Sequence, residues 1–246
     1  ALSWLAEMFD LPSGMQGVFS SGGSTANLIG LGAARQSAFE RLGMDPANDG
    51  VQHACNIYAT EQSHHTIHRS ASVLGMGRNS VIHIPVDEKM RLCPEALRKQ
   101  LLEDKKTGAV AVAIVANAGS TNTGSIDPLQ EIGEIAREHK IWFHVDGAYG
   151  LPGTLDPQLH PLYKGLALAD SITVDAHKWL GAPVGIGATF VNDSHALQKT
   201  FNQGIADYIE TTVVTNEQVE NSMDNVGFPY HDLGVELSAP TRGATV

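Results

Sequence analysis

The segment Asp170-Ser-Ile-Thr-Val-Asp-Ala-His177-Lys178-Trp179 runs an apolar strand into a His-Lys pair, and Gly181, Gly185 and Gly187 follow it. A lysine at the end of a core strand carries a charge that is costly to bury unless it is paired or neutralised. One chemistry resolves that conflict: the amine is a nucleophile that forms an imine with a carbonyl cofactor such as pyridoxal phosphate. The plain alternative is a lysine that snorkels out of a strand end. Thirty-two residues upstream, Lys140-Ile-Trp-Phe-His-Val-Asp146-Gly-Ala148-Tyr149-Gly150 reads as a second buried strand that ends on an aspartate. Ligands of open α/β sheets gather at the C-terminal ends of strands, which places Asp146 and Lys178 at one crevice. A carboxylate beside a pyridine nitrogen keeps that nitrogen protonated, the condition for the ring to act as an electron sink. An ordinary strand-end turn residue is the other reading of Asp146.

Two further segments carry polar groups suited to such a ligand. Gly17-Val-Phe-Ser-Ser21-Gly22-Gly23-Ser24-Thr25-Ala26-Asn27-Leu28 opens a helix, with Leu28, Leu31, Ala34, Arg35 and Ala38 at helical spacing. Small residues ahead of a helix let bare backbone N–H groups meet an anion, and the helix dipole adds to the attraction. The motif is a phosphate cup and not a Walker loop; N-capping by Ser24 or Thr25 is the bland reading. The second segment, Tyr58-Ala-Thr-Glu61-Gln62-Ser63-His64-His65-Thr66-Ile67-His68-Arg69, brings a short strand into a helix headed by paired histidines. An imidazole there can stack on a flat ring or transfer a proton, and solvated surface is the alternative. Spacing alone does not choose among the three histidines.

In order and spacing these four segments resemble the group II pyridoxal-phosphate-dependent amino-acid decarboxylases, from Trp4-Leu5 to Thr241-Arg242. The Asp-Ala-His-Lys-Trp and His-Val-Asp-Gly-Ala-Tyr strings are its most specific parts. The resemblance implies pyridoxal 5'-phosphate as cofactor and an L-amino acid as substrate, with carbon dioxide and the amine as products. It makes Lys178 the Schiff-base lysine, Asp146 the partner of the ring nitrogen and His64 the imidazole stacked over the ring. Ala148 then packs beneath the ring, and Gly22, Gly23, Ser24 and His177 fall on phosphate-binding positions. Asp175 joins that set at a position where several relatives carry asparagine. Thr121, in Ala116-Asn-Ala-Gly119-Ser120-Thr121-Asn122, matches a residue that approaches the cofactor, although a Gly/Ser/Asn-rich strand-end turn needs no ligand. Ala206-Asp207-Tyr208-Ile209 matches a mobile loop whose tyrosine, given across a homodimer interface, protonates the intermediate after carbon dioxide leaves. The resemblance also implies an N-terminal arm and a small C-terminal domain, so residues 1–246 read as the cofactor-binding large domain. Other fold-type I lyases and aldolases share the lysine, aspartate and cup, but the His-Lys-Trp context and the Asp207-Tyr208 segment favour decarboxylation. A decarboxylation-dependent aldehyde synthase and a catalytically inactive scaffold stand as alternatives. Tyr208 weighs against the first, and the filled catalytic positions weigh against the second.

The elements that must hold these residues alternate. Helices are expected over Leu2–Phe9, Ser24–Leu42, His64–Leu74, Pro94–Leu102 and Pro128–His139. Strands are expected over Asn56–Thr60, Ser80–Ile84, Ala109–Val115, Ile141–Val145, Ser171–Val174 and Gly185–Val191. The pattern predicts an α/β domain of fold type I, with a mostly parallel central sheet and helices on both faces. The last two strands have no helix between them, so one is expected to pair antiparallel. The 246 residues suffice for one large core, with 42% hydrophobic and 17% charged residues. A formal charge of −11 argues against a nucleic-acid or anionic-membrane surface. Cys55 and Cys93 make neither a disulfide framework nor a zinc spacing, and no metal is expected. No run of ~18 apolar residues is present to span a membrane, and a reducing cytoplasm is the expected setting. No nicotinamide-type glycine fingerprint occurs either.

Overall fold

Residues 110–116 are all apolar, a run that buries both faces of a strand, and they form an inner strand of a seven-stranded sheet. The computed structural model describes residues 1–202 and 230–246. Its strands are β1 (Gln16–Ser20), β2 (Cys55–Ala59), β3 (Val81–His83), β4 (Val110–Asn117), β5 (Trp142–Asp146), β6 (Ser171–Asp175) and β7 (Gly187–Val191). The sheet order is β1-β7-β6-β5-β4-β2-β3. Strand β7 runs antiparallel to both of its neighbours, and the other pairings are parallel. Six strands therefore end on the same side, where β7 begins. That edge collects the turns after Ser20, Ala59, Asn117, Asp146 and Asp175 (register Asn117 to Asp146, Asp175 to Gly187 and Ser20 to Gly187).

The helices are α1 (Leu2–Met8), α2 (Gly23–Glu40), α3 (Pro46–Asp49), α4 (Thr66–Val73), α5 (Pro94–Asp104), α6 (Leu129–His139) and α7 (Ser194–Phe201). One face of the sheet packs Phe143, Val145, Ile172, Val174 and Phe190 against Leu5, Leu97, Ile132 and Ile135 from α1, α5 and α6. The opposite face, under α2, α4 and α7, differs in character. Trp142, His144 and Asp146 alternate on β5, and Ser171, Thr173 and Asp175 alternate on β6, so a polar stripe lies beneath α2. Helix α2 meets it with Gly23, Asn27 and Gly30, a face of i, i+4, i+7 spacing. A Cβ on Gly30 would fall 2.8 Å from the His144 ring and 3.3 Å from Ser171 Oγ. Leu28 and Arg35, expected on the core side, are only half buried.

Four other features depart from the expected elements. The Ser/Gly turn before α2 contains the edge strand β1, which exists through its ladder to β7. Helix α4 starts at Thr66, so His64 and His65 lie in the turn before it. Helix α7 was not expected, although Asp193 caps it by accepting from the His195 N–H at 3.0 Å. Residues 151–168 wind through three short 3₁₀ turns.

Asp127 pins the loop that follows β4. Its buried carboxylate accepts from Leu92 N at 2.7 Å, from Asn117 N at 2.6 Å and from Asn117 Nδ2 at 3.0 Å. Burial pushes its pKa up from 3.8 to about 6 against the pull of those donors. The folded chain then holds the proton more tightly than the unfolded chain. Its stabilising contribution is full below about pH 4 and is lost as pH rises through about 6, by up to roughly 3 kcal/mol.

Two outcomes follow from this packing. Gly30→Ala should lower stability by ~1–3 kcal/mol in urea melts, because α2 must lift off the His144 ring; an unchanged midpoint would show that the contact has slack. The gap in unfolding free energy between the wild type and Asp127→Asn should move against the wild type between about pH 4 and 6. A gap flat in pH would remove burial as the cause.

Candidate active site

The edge where six strands end is lined by short turns, and each brings one kind of group. The turn after β1 reaches α2 through Gly22, whose φ of 131° is open to glycine alone. No side chain caps α2, so its first N–H groups point bare toward the edge. Around them the backbone leaves no room for side chains. A Cβ on Gly187 would lie 2.6 Å from Asp175 Oδ1 and 2.7 Å from the Gly22 backbone, and one on Gly23 would lie 2.7 Å from Asp175 Oδ2. His177 flanks the cup, with its Cε1 3.1 Å from where a Gly22 Cβ would stand and its Nδ1 3.0 Å from Ile186 O. Ser24 is exposed and caps nothing.

Lys178 lies three residues past the end of β6, in a turn and not on the strand itself. Its side chain is 32% exposed, and Nζ stands 3.0 Å from Asp175 Oδ2. The expected conflict of a buried ammonium is thus met by a counter-ion and by an opening to solvent. Asp175 is 2% exposed, and its Oδ1 has no hydrogen-bond partner. His177 Nε2 lies 3.7 Å from Asp175 Oδ2.

Asp146 ends β5 and is 7% exposed. Its Oδ2 accepts from Asn27 Nδ2 at 2.9 Å, and its Oδ1 accepts from Ala148 N at 3.1 Å. Ala148 is buried beside the cup, 3.1 Å from where a Cβ on Gly23 would stand. The structure separates the three histidines. His64 Nδ1 sits 3.0 Å from Thr66 Oγ1, which receives the Asn27 amide at 3.1 Å, so His64 is joined to the Asp146 cluster. Burial, then the neighbouring His65, hold its pKa below the usual imidazole value, against the pull of Asp146. His65 is exposed, and His68 stacks on His83 at 5.1 Å. Thr121 is exposed, whereas its neighbour Ser120 is buried and bonded within the turn to Thr123 and Ser125. Tyr208 lies outside the described residues. A groove of about 820 Å³, lined in part by Arg91, Tyr149, Gly150 and Trp179, opens beside the turn that carries Lys178.

These groups fit pyridoxal phosphate. A glycine cup at an uncapped helix start suits its phosphate, an accessible amine suits its carbonyl, and a buried carboxylate suits its ring nitrogen. Asp175 Oδ1 at the floor of the cup has no partner, but it wants a donor and not a phosphate oxygen, so the fit rests on the uncapped N–H groups and the glycine cradle. Sequence reasoning missed Asn27, Thr66, His144 and Ser171. The signal for two of them was present as period-two polarity in His144-Val-Asp146 and Ser171-Ile-Thr-Val-Asp175. Among the described residues no group of three or more His, Cys, Asp or Glu is placed to hold a metal ion.

A family model described as the pyridoxal-dependent decarboxylase conserved domain matches residues 1–225. The aromatic-L-amino-acid decarboxylase of Bacillus atrophaeus is 34% identical over 245 residues, covering 100% of this chain and 47% of that protein. The 4-hydroxyphenylacetaldehyde synthase of Rhodiola rosea is 36% identical over 187 residues, 73% of this chain and 37% of its own length. The solved structure of Oryza sativa TDC with PLP and tryptamine matches with a TM-score of 0.84 at 27% identity, over 98% of this chain and 49% of that one. The chain thus spans about half the length of these relatives, or less. With a matching family model over most of the sequence, and with the amine, the carboxylate and the glycine cup on one sheet edge, this chain belongs to the pyridoxal-dependent decarboxylase family.

Proposed function

We propose that residues 1–246 form the cofactor-binding domain of a pyridoxal-phosphate-dependent decarboxylase that converts an L-amino acid to its amine and carbon dioxide. The observation that carries the reading is the meeting of Lys178, Asp146 and the Gly22–Gly23–Gly187 cup on one edge of the sheet. When bound, the pyridoxal ring supplies a conjugated sink for the electron pair left at Cα as a carboxylate departs.

The residues supply position and charge. Lys178 holds the group through Nζ, and Asp175 keeps that amine at the mouth of the cup when it is free. The bare N–H groups of Gly23 and Ser24, with His177 alongside, receive the phosphate at the start of α2. Asp146, steadied by Asn27 and the Ala148 N–H, keeps a proton on the ring nitrogen. Ala148 and His64 would hold the ring between them, and His64 would orient the substrate carboxylate. Thr121 closes the edge from the turn after β4. Tyr208 returns the proton to Cα, donated from a second copy, so the working unit is a homodimer with the site at its interface. That part rests on the resemblance of Ala206-Asp207-Tyr208-Ile209 to the family's loop. Both cysteines are free, in keeping with a cytoplasmic, reducing setting.

The deciding experiment loads the complete gene product with pyridoxal phosphate, reduces it with borohydride, digests it and reads by mass which lysine carries the label. Label on Lys178 is expected; label on Lys140 or Lys164, or none, would overturn the assignment. A panel of L-amino acids is then assayed for carbon dioxide, amine and aldehyde. Amine with little aldehyde is the expected product, and aldehyde as the main product would convert the reading to an aldehyde synthase. Asp146→Ala should lower kcat by on the order of 10²-fold or more, while Lys178 remains labelled.

A further inference from the structure

Between the sheet and α2 runs a continuous chain of buried hydrogen bonds, and each of its two ends permits one polarity only. Trp142 Nε1 can only donate, and it gives its hydrogen to Ser171 Oγ at 2.7 Å. At the far end the Asp146 carboxylate can only accept, so the Asn27 atom 2.9 Å away is the amide nitrogen. Asn27 Oδ1 therefore faces His144 Nε2, also at 2.9 Å, and that nitrogen must carry the hydrogen. His144 is fully buried, and burial drives its pKa down to about 4, so the ring is neutral and its Nδ1 is bare. Ser171 Oγ lies 2.7 Å from that Nδ1 and donates its remaining hydrogen there. Every hydrogen from Trp142 to Asp146 is assigned with none to spare.

Asn27 has a second amide hydrogen, and the chain branches through it. That hydrogen goes to Thr66 Oγ1 at 3.1 Å. One lone pair of the Thr66 hydroxyl is so used, and its own hydrogen is free to reach His64 Nδ1 at 3.0 Å. The Thr66 backbone N–H points at the same nitrogen from 3.4 Å. Two donors aimed at Nδ1 leave it no proton of its own.

We propose that Asn27 and Thr66 are positioning residues that lock His64 as the neutral Nε2–H tautomer, Asn27 being itself oriented by the chain from Trp142 to Asp146. His64 then presents an N–H, and not a lone pair, to whatever lies over Asp146, which suits a hydrogen bond to a substrate carboxylate. Protonating His64 at Nδ1 would turn the Thr66 hydroxyl hydrogen away from the ring and set the ring N–H against the Thr66 backbone N–H. The charged groups that act on His64 are Asp146, Lys178 and Arg69, with His65 beside it. The functional meaning rests on the decarboxylase reading, but the tautomer itself does not depend on which reaction is run.

The test is two-bond ¹H–¹⁵N correlation of the ¹⁵N-histidine-labelled complete protein near neutral pH, with and without pyridoxal phosphate. The signals are assigned by their loss in His64→Gln and His144→Gln. Both rings should show a protonated Nε2 and a bare Nδ1 in the wild type, before and after the cofactor is added. Thr66→Val should move His64 to exchange-averaged shifts and lower kcat roughly tenfold with a smaller change in KM, and Thr66→Ser should restore both. A proton on His64 Nδ1, or averaged tautomers in the wild type, would overturn the proposal whether or not any variant folds. A wild-type-like His64 spectrum in folded Thr66→Val would overturn it as well. A locked tautomer in a protein that takes no label on Lys178 would leave the relay standing and remove the decarboxylase reading.

Discussion

The C-terminal edge of the sheet hangs on one hydrogen bond, from Asn27 on α2 to Asp146 on β5. A carboxylate at 7% exposure must be solvated by the protein, and both of its hydrogen-bond donors here are neutral: one side-chain amide and one backbone N–H. Dipoles stabilise the charge without cancelling it, so the negative potential persists toward the mouth of the edge. That is the requirement for holding a proton on a neighbouring ring nitrogen, and an arginine in place of Asn27 would defeat it. The same amide ties α2 to the sheet and, through Thr66, sets His64. Helix docking and site electrostatics are thus two consequences of one residue.

Lys178 and Asp175 answer a different need. A lysine that must act as a nucleophile has to be reachable, and a lysine that is reachable wanders. Asp175, buried under the cup, fixes one end of a short ion pair while the amine stays about a third exposed. An asparagine at this position could not pair with the amine as a charge. The carboxylate next to the glycine cup is tolerable because Lys178 and the start of α2 surround it with positive potential.

What was legible in the sequence follows from what leaves a local pattern. The apolar run of β4, the alternation of strands with helices and the glycine-rich turns announced a mostly parallel sheet, and the absence of a helix before β7 announced its reversal. Lys178, Asp146 and the glycine cup were legible because each is an odd residue for its place. Strand β1 was not, since Gln16–Ser20 holds few apolar residues. It becomes a strand through a ladder to β7 in which Gly17 admits Phe190, where a Cβ would stand 2.8 Å from the ring. Spacing left the choice among three histidines open and only the resemblance picked His64, because the group that singles it out is an amide on a helix 37 residues away in sequence. The stripe beneath α2 was hidden for the same reason. Polar residues on a buried strand look like errors until the facing helix, with its Gly30 and Asn27, shows what they are for.

The two sheet faces divide the work. Against α1, α5 and α6 the packing is wholly apolar and supplies hydrophobic stabilisation in the ordinary way. Beneath α2 the strands give up part of that gain for a polar relay from Trp142 to Asp146 whose members are satisfied, while Thr173 Oγ1 and Asp175 Oδ1 on the same stripe have no partner. A half-satisfied network there would be worse than an apolar core. Satisfaction along that chain has a second effect: with donors and acceptors matched from Trp142 to Asp146, reversing any single bond strands a partner. The relay therefore has one low-energy arrangement of hydrogens where an apolar seam would have none to arrange. A domain built only for stability would have filled β5 and β6 with valine on both faces. Keeping a polar seam under the helix that also forms the anion cup couples the orientation of Asp146 and His64 to the packing of that helix. The geometry of the site is then held by the fold itself and not by its exposed turns.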